Sequence, residues 1–235
     1  MGAYVCGICG QGVENLGWIT SLDIGPREFV PLSDDEKLDP KDARFVDAIY
    51  TDTRILGDPE PHGHINIYVN GGYGQPRCNY LFVPDLNPED IFNGVILDNA
   101  INTAFCDHMS VLFYYLESIR NPSCEWKAYE CSSYERFQGG ECKSCGADNS
   151  SCAYLGLKAI EYTNKSRELV VFYINTNAEE PYCRYDIGST VGFDFGYGYG
   201  YGYGYGYGYG YGYGYGYGYA KFSLLHDNGI IMNSP

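Results

Sequence analysis

At 235 residues the chain has room for one domain, or two at most. Its 30 acidic residues outweigh 15 basic ones, for a formal net charge of −15. That excess argues against nucleic acid and anionic membrane surfaces as partners, but not against neutral lipid, which needs apolar surface. No apolar run approaches the roughly 20 residues of a membrane span, so the chain is not expected to be transmembrane. Met1 is not followed by the basic and then apolar regions of a signal peptide.

Residues 4–16 read as a helix packed by small and apolar positions, Ala3, Val5, Cys6, Ile8, Cys9, Val13 and Leu16. Trp18 to Leu22 reads as a short buried strand ending at Asp23, and residues 32–42 as an acidic loop. Phe45 to Tyr50 and His64 to Val69 read as further strands. Ser110 to Ile119 should be a helix opened just after His108, which leaves His108 in a loop. Leu169 to Ile174 reads as a late strand of continuous apolar character. Strands alternating with helices imply a mostly parallel sheet, hence an α/β class.

Cys124, Cys131, Cys142, Cys145 and Cys152 cluster in a loop-rich stretch, and the ten cysteines overall suit a disulfide-bonded extracellular protein. Cys142 and Cys145 form a C-x-x-C, but no second C-x-x-C or histidine pair stands at zinc-finger spacing from them. From Gly196 to Tyr219 the chain is twelve uninterrupted Gly-Tyr dipeptides. Half of these residues have no side chain to pack, so a disordered tail is expected over 186–235, with an adhesive or tyrosine-crosslinking segment as the sharper reading.

Two residues carry a chemical signal. A serine alcohol is a poor nucleophile until an imidazole takes its proton and a carboxylate holds that imidazole in the right tautomer. Met1-Gly2-Ala3-Tyr4 reads like the tail of a Gly-x-Ser-x-Gly nucleophile motif with the serine just before residue 1. Asp23 at a strand end and His108 beyond it then follow in the order Ser, Asp, His.

The motifs Ser21-Leu22-Asp23, Leu38 to Asp52, Gly63 to Gly72, Gln75-Pro76-Arg77-Cys78, Cys106-Asp107-His108 and Tyr115 to Ile119 closely resemble the pancreatic lipase family, collinearly from Met1 to about Cys183. The resemblance covers the second half of that family's catalytic domain. It implies an incomplete α/β-hydrolase fold over 1–185, hydrolysing lipid esters outside the cell. Asp23 would be the triad acid, His108 the base, and Met1 the oxyanion-hole residue after the missing serine. The family usually has histidine where Tyr4 and Tyr50 stand, and Asp-Pro-Ala where this chain has Asp23-Ile24-Gly25.

The same resemblance implies further features. No cofactor is required for the chemistry. The acidic loop resembles a structural calcium site with Asp34, Lys37, Asp39 and Asp42 as ligands, the lysine through its carbonyl. A Cys78–Cys106 disulfide would close a lid, apolar with interspersed acids, over a site that meets the lipid–water interface. A long lid favours acylglycerol over phospholipid. The family pattern suggests Cys131–Cys142 and Cys145–Cys152, with Cys124–Cys183 as a further guess. Cys6 and Cys9 are expected to be buried thiols. The alternatives are a non-catalytic lipid-binding or storage protein of yolk-protein type, which keeps the domain without the serine, and a matrix protein led by the Gly-Tyr tract.

Overall fold

A computed structural model describes residues 2–25, 37–78 and 95–184. They fall in one compact unit, Met1–Thr190, and a second unit, Val191–Pro235, lies outside the described residues. Also outside are Met1, Asp34, residues 79–94 of the expected lid and the Gly-Tyr tract.

Six strands form one mixed sheet: β1 (Ile19–Leu22), β2 (Val46–Tyr50), β3 (Ile65–Val69), β4 (Lys127–Glu130), β5 (Cys152–Tyr154) and β6 (Val170–Ile174), in the order β1-β2-β3-β6-β4-β5. The β1-β2-β3-β6 half is parallel, and β4 and β5 extend it antiparallel. The parallel half matches the expectation from sequence. The antiparallel extension, with the short helix α3 (Tyr134–Gln138), lies in the cysteine-rich stretch that reads as loop.

Every residue of β2 and β3 is buried, as befits parallel strands covered on both faces. Side chains alternate between two cores because successive residues of a strand point to opposite faces. Ile49, Ile65, Ile67 and Val69 join Val111, Tyr114, Trp126 and Phe172 on one face. Val46, Ala48, Tyr50 and Tyr68 join Tyr4, Ile19, Ile24 and Leu38 on the other.

Helix α1 (Gly2–Gly12) lies over the second core and buries Tyr4, Gly7 and Gly10, one stripe at a spacing of three. A Cβ on Gly10 would stand 2.3 Å from the Asp42 carbonyl oxygen, and one on Gly7 2.9 Å from Asp42 Oδ2. This contact between backbones, with no room for side chains, selects the face. It turns Cys6 and Cys9 outward as exposed free thiols, which corrects the expectation that they are buried.

Helix α2 (Val95–Arg120) runs 26 residues and places His108 in mid-helix, which corrects the loop expected there. No glycine or proline interrupts the chain between Gly94 and Pro122, so nothing local stops the helix at residue 108. Among the described residues no helix is long and apolar enough to cross a membrane.

Four disulfides, Cys78–Cys106, Cys124–Cys183, Cys131–Cys142 and Cys145–Cys152, tie the loops to this frame.

Candidate active site

The candidate pair lies at the C-terminal ends of β1 and β2, where ligand sites of open α/β sheets lie. β1 and β2 are in parallel register with Leu22 beside Ile49, and the Asp23 N–H extends that ladder to the Ile49 carbonyl at 2.8 Å. Asp23 then leaves the strand with φ +50°, a left-handed conformation that aspartate tolerates better than most residues. Its carboxylate is enclosed. Oδ1 accepts from the Thr51 N–H at 2.7 Å and the Asp52 N–H at 3.0 Å, both in the turn that follows β2. Oδ2 meets Nδ1 of His108 at 2.5 Å.

The imidazole is 31% exposed and the carboxylate side chain fully buried. Burial pushes the Asp23 carboxyl up, against the hydrogen bonds from His108, Thr51 and Asp52 that favour its charge. The hydrogen bond to Asp23 pushes the His108 imidazole up, against its own partial desolvation. With Nδ1 committed to Asp23, Nε2 is the atom left to exchange a proton.

Asp52 shapes the turn that grips Asp23. Its side chain accepts from the backbone N–H groups of Arg54, Ile55 and Leu56 at 3.0 to 3.2 Å. Gly57 closes that turn so tightly that a Cβ there would lie 1.8 Å from the Asp52 carbonyl oxygen and 3.3 Å from Asp23 Oδ1. On the other side, Asp107 accepts from the Gly74 and Gln75 N–H groups at 2.9 and 2.8 Å. The sequence gives none of Thr51, Asp52, Gly57, Gln75 and Asp107 a role. Thr51, Asp52, Gln75 and Asp107 all fall within the segments that resemble the family, and only the fold gives their contacts.

The two tyrosines at positions of family histidines are both satisfied. Tyr4 donates to the Gly25 carbonyl at 2.6 Å, in the segment after Asp23. Tyr50 bonds Asn66 Oδ1 at 3.1 Å, accepts from the His62 N–H at 3.0 Å, and stacks on Tyr68 at 4.4 Å between ring centroids.

Of the calcium ligands expected, Asp39 and Asp42 cap a 3-10 turn, Pro40–Asp42. Asp39 Oδ1 accepts from the Lys41 N–H at 2.6 Å, and Asp42 Oδ2 from the Asp39 N–H at 2.9 Å. Among the described residues no three His, Cys, Asp or Glu side chains gather in a way that could hold a metal ion. Both carboxylates accept from the backbone of the turn.

A sheet of this order, covered on both faces, is that of a partial lipase α/β-hydrolase domain. The chain belongs to the lipase family, whose model it matches over residues 1–182. Among curated proteins it is similar to Lipase member H of Rattus norvegicus, 37% identical over 191 residues, which are 79% of this chain and 39% of that protein. It is also similar to Lipase member H of Danio rerio, 35% identical over 188 residues, 78% of this chain and 38% of that protein. Phospholipase A1 member A of Homo sapiens is 35% identical over 190 residues, 79% of this chain and 38% of that protein. The chain thus spans well under half the length of these relatives.

Proposed function

We propose that Asp23 and His108 are the acid and base of a serine-hydrolase triad that cleaves carboxylic esters of lipids. The observation that carries this reading is the 2.5 Å contact between His108 Nδ1 and a buried carboxylate, with the imidazole partly open to solvent. In the proposed cycle His108 Nε2 takes the proton of a serine hydroxyl as its oxygen attacks the ester carbonyl. His108 then gives that proton to the departing alcohol, leaving an acyl-serine. Water repeats the sequence, releasing the fatty acid and restoring the serine. Asp23 stays ionised throughout, fixing the tautomer and stabilising the imidazolium.

The nucleophile in this reading is a serine immediately before Met1, and Met1 contributes the oxyanion-hole N–H that such a site takes from the residue after the nucleophile. The 235-residue chain by itself would then turn over no ester. Its substrate would be triacylglycerol or phospholipid at a lipid–water interface, and the working protein extracellular, consistent with four disulfides. No cofactor takes part. Calcium at Asp34, Lys37, Asp39 and Asp42 would be structural and would compete with the caps that Asp39 and Asp42 form.

The test is to express the chain extended upstream through a Gly-His-Ser segment and assay a soluble acyl ester. His108→Ala and Asp23→Asn should each lower kcat by about 10⁴-fold. Undiminished turnover in His108→Ala would overturn the assignment.

A further inference from the structure

The contact between Asp23 and His108 joins the end of β1 to the middle of α2. A second route connects them. Asp107, the residue before His108, is 5% exposed and accepts from the N–H groups of Gly74 and Gln75. Gln75 is fully buried. Its Nε2 donates to the Thr51 carbonyl at 2.8 Å and to the Val69 carbonyl at 2.9 Å, while Oε1 accepts from Asn70 Nδ2 at 2.8 Å. Thr51 in turn donates its N–H to Asp23 Oδ1, and its hydroxyl approaches the His108 carbonyl at 3.5 Å. The chain of bonds Asp23–Thr51–Gln75–Asp107 therefore closes a ring around the Asp23–His108 contact.

We propose, building on the acid–base reading above, that Asp107 and Gln75 are positioning residues that set the reach of His108 to Asp23. The physical case is one of accounting for polar groups. Each amide proton of the buried Gln75 side chain has an acceptor, and each Asp107 oxygen has a backbone donor. Such a network has one satisfied arrangement, because any displacement of α2 along its axis leaves buried polar atoms without partners. Asp107 touches no reacting atom. It holds the helical turn on which His108 sits, at the end of β3 that also anchors Gln75. Asn70 extends the same ring to β6 by donating to Thr176 Oγ1 and accepting from the Thr176 N–H, both at 2.9 Å.

Nuclear magnetic resonance of the 235-residue chain, labelled at histidine, tests this without any turnover. The wild type should show a far-downfield Nδ1–H resonance from His108 and an imidazole titrating above its ordinary range. Gln75→Met keeps the volume and every charge and removes only the side-chain amide bonds. It should broaden or abolish the downfield resonance and return the His108 titration toward the ordinary imidazole value. His64, whose Nδ1 accepts from the Val46 N–H at the opposite end of β2, should be unmoved. Asp107→Asn should do the same, since its amide would oppose one of the two backbone N–H groups. If Asp107→Asn does not fold, Gln75→Met alone decides. A wild-type downfield resonance and titration retained in folded Gln75→Met would overturn the positioning role and leave the pair standing. Absence of the resonance in the wild type, with an unshifted His108, would overturn the acid–base reading itself.

Discussion

Trp18 donates its indole N–H to Asp47 Oδ1 at 2.5 Å, across the seam between β1 and β2. Thr20 adds its hydroxyl to the same oxygen at 2.8 Å. Asp47 Oδ2 is buried and meets no donor among the described residues. Burial pushes the Asp47 carboxyl up to about 6, against the two hydrogen bonds.

The native state therefore holds a proton on Asp47 that the unfolded chain, near the ordinary value of 3.8, releases earlier. Stability from this residue is fully present below about pH 4 and falls as pH rises through about 6, by roughly 2 to 3 kcal/mol in total. Asp47→Asn should flatten that part of the profile. Urea melts of both proteins at pH 4 and pH 7 check it: the difference in unfolding free energy between them should change with pH in this window. Parallel profiles would contradict it.

Gly57→Ala should damage the site from behind. The added methyl would have to displace the Asp52 carbonyl oxygen, 1.8 Å away, in a turn whose N–H groups serve both Asp23 and the Asp52 side chain. Overpacking of this kind costs about 1 to 3 kcal/mol. The variant should melt earlier, and its His108 should titrate closer to an ordinary histidine. An unchanged melting temperature would mean the turn yields without loss.

The outward turn of Cys6 and Cys9 has a chemical signature. Eight of the ten cysteines are paired, so two thiols remain. Both should react with a water-soluble thiol reagent in the native protein, at rates close to those in denaturant. Protection of both until unfolding would place them in the interior instead.

The sequence gives a clear account of the parallel half of the sheet, because Val46 to Tyr50 and Ile65 to Val69 are apolar but for Asp47 and Asn66 and are rich in β-branched and aromatic residues. It also singles out Asp23 and His108, 85 residues apart, through a strand end and a family motif. It does not reveal β4 and β5, where Lys127-Ala128-Tyr129-Glu130 and Cys152-Ala153-Tyr154 are too short and mixed to carry a period. It misreads α1, since hydrophobicity nominates Val5, Ile8 and the cysteines while the packing is decided by two residues with no side chain. The grip on Asp23 is equally hidden. It is made by backbone N–H groups of Thr51 and Asp52, and no side-chain pattern announces a backbone donor.

The Cys78–Cys106 bridge holds its two Cα atoms 5.9 Å apart, and Cys106 stands two residues before His108. The ends of the intervening stretch are thereby fixed to one place on the frame. For such a closed loop, doubling the length costs only about 0.6 kcal/mol of further closure entropy. Insertions and deletions between these cysteines that leave the helix from Val95 onward intact thus cost the fold little and leave His108 where it is. Length variation there leaves the Asp23–His108 pair at its spacing.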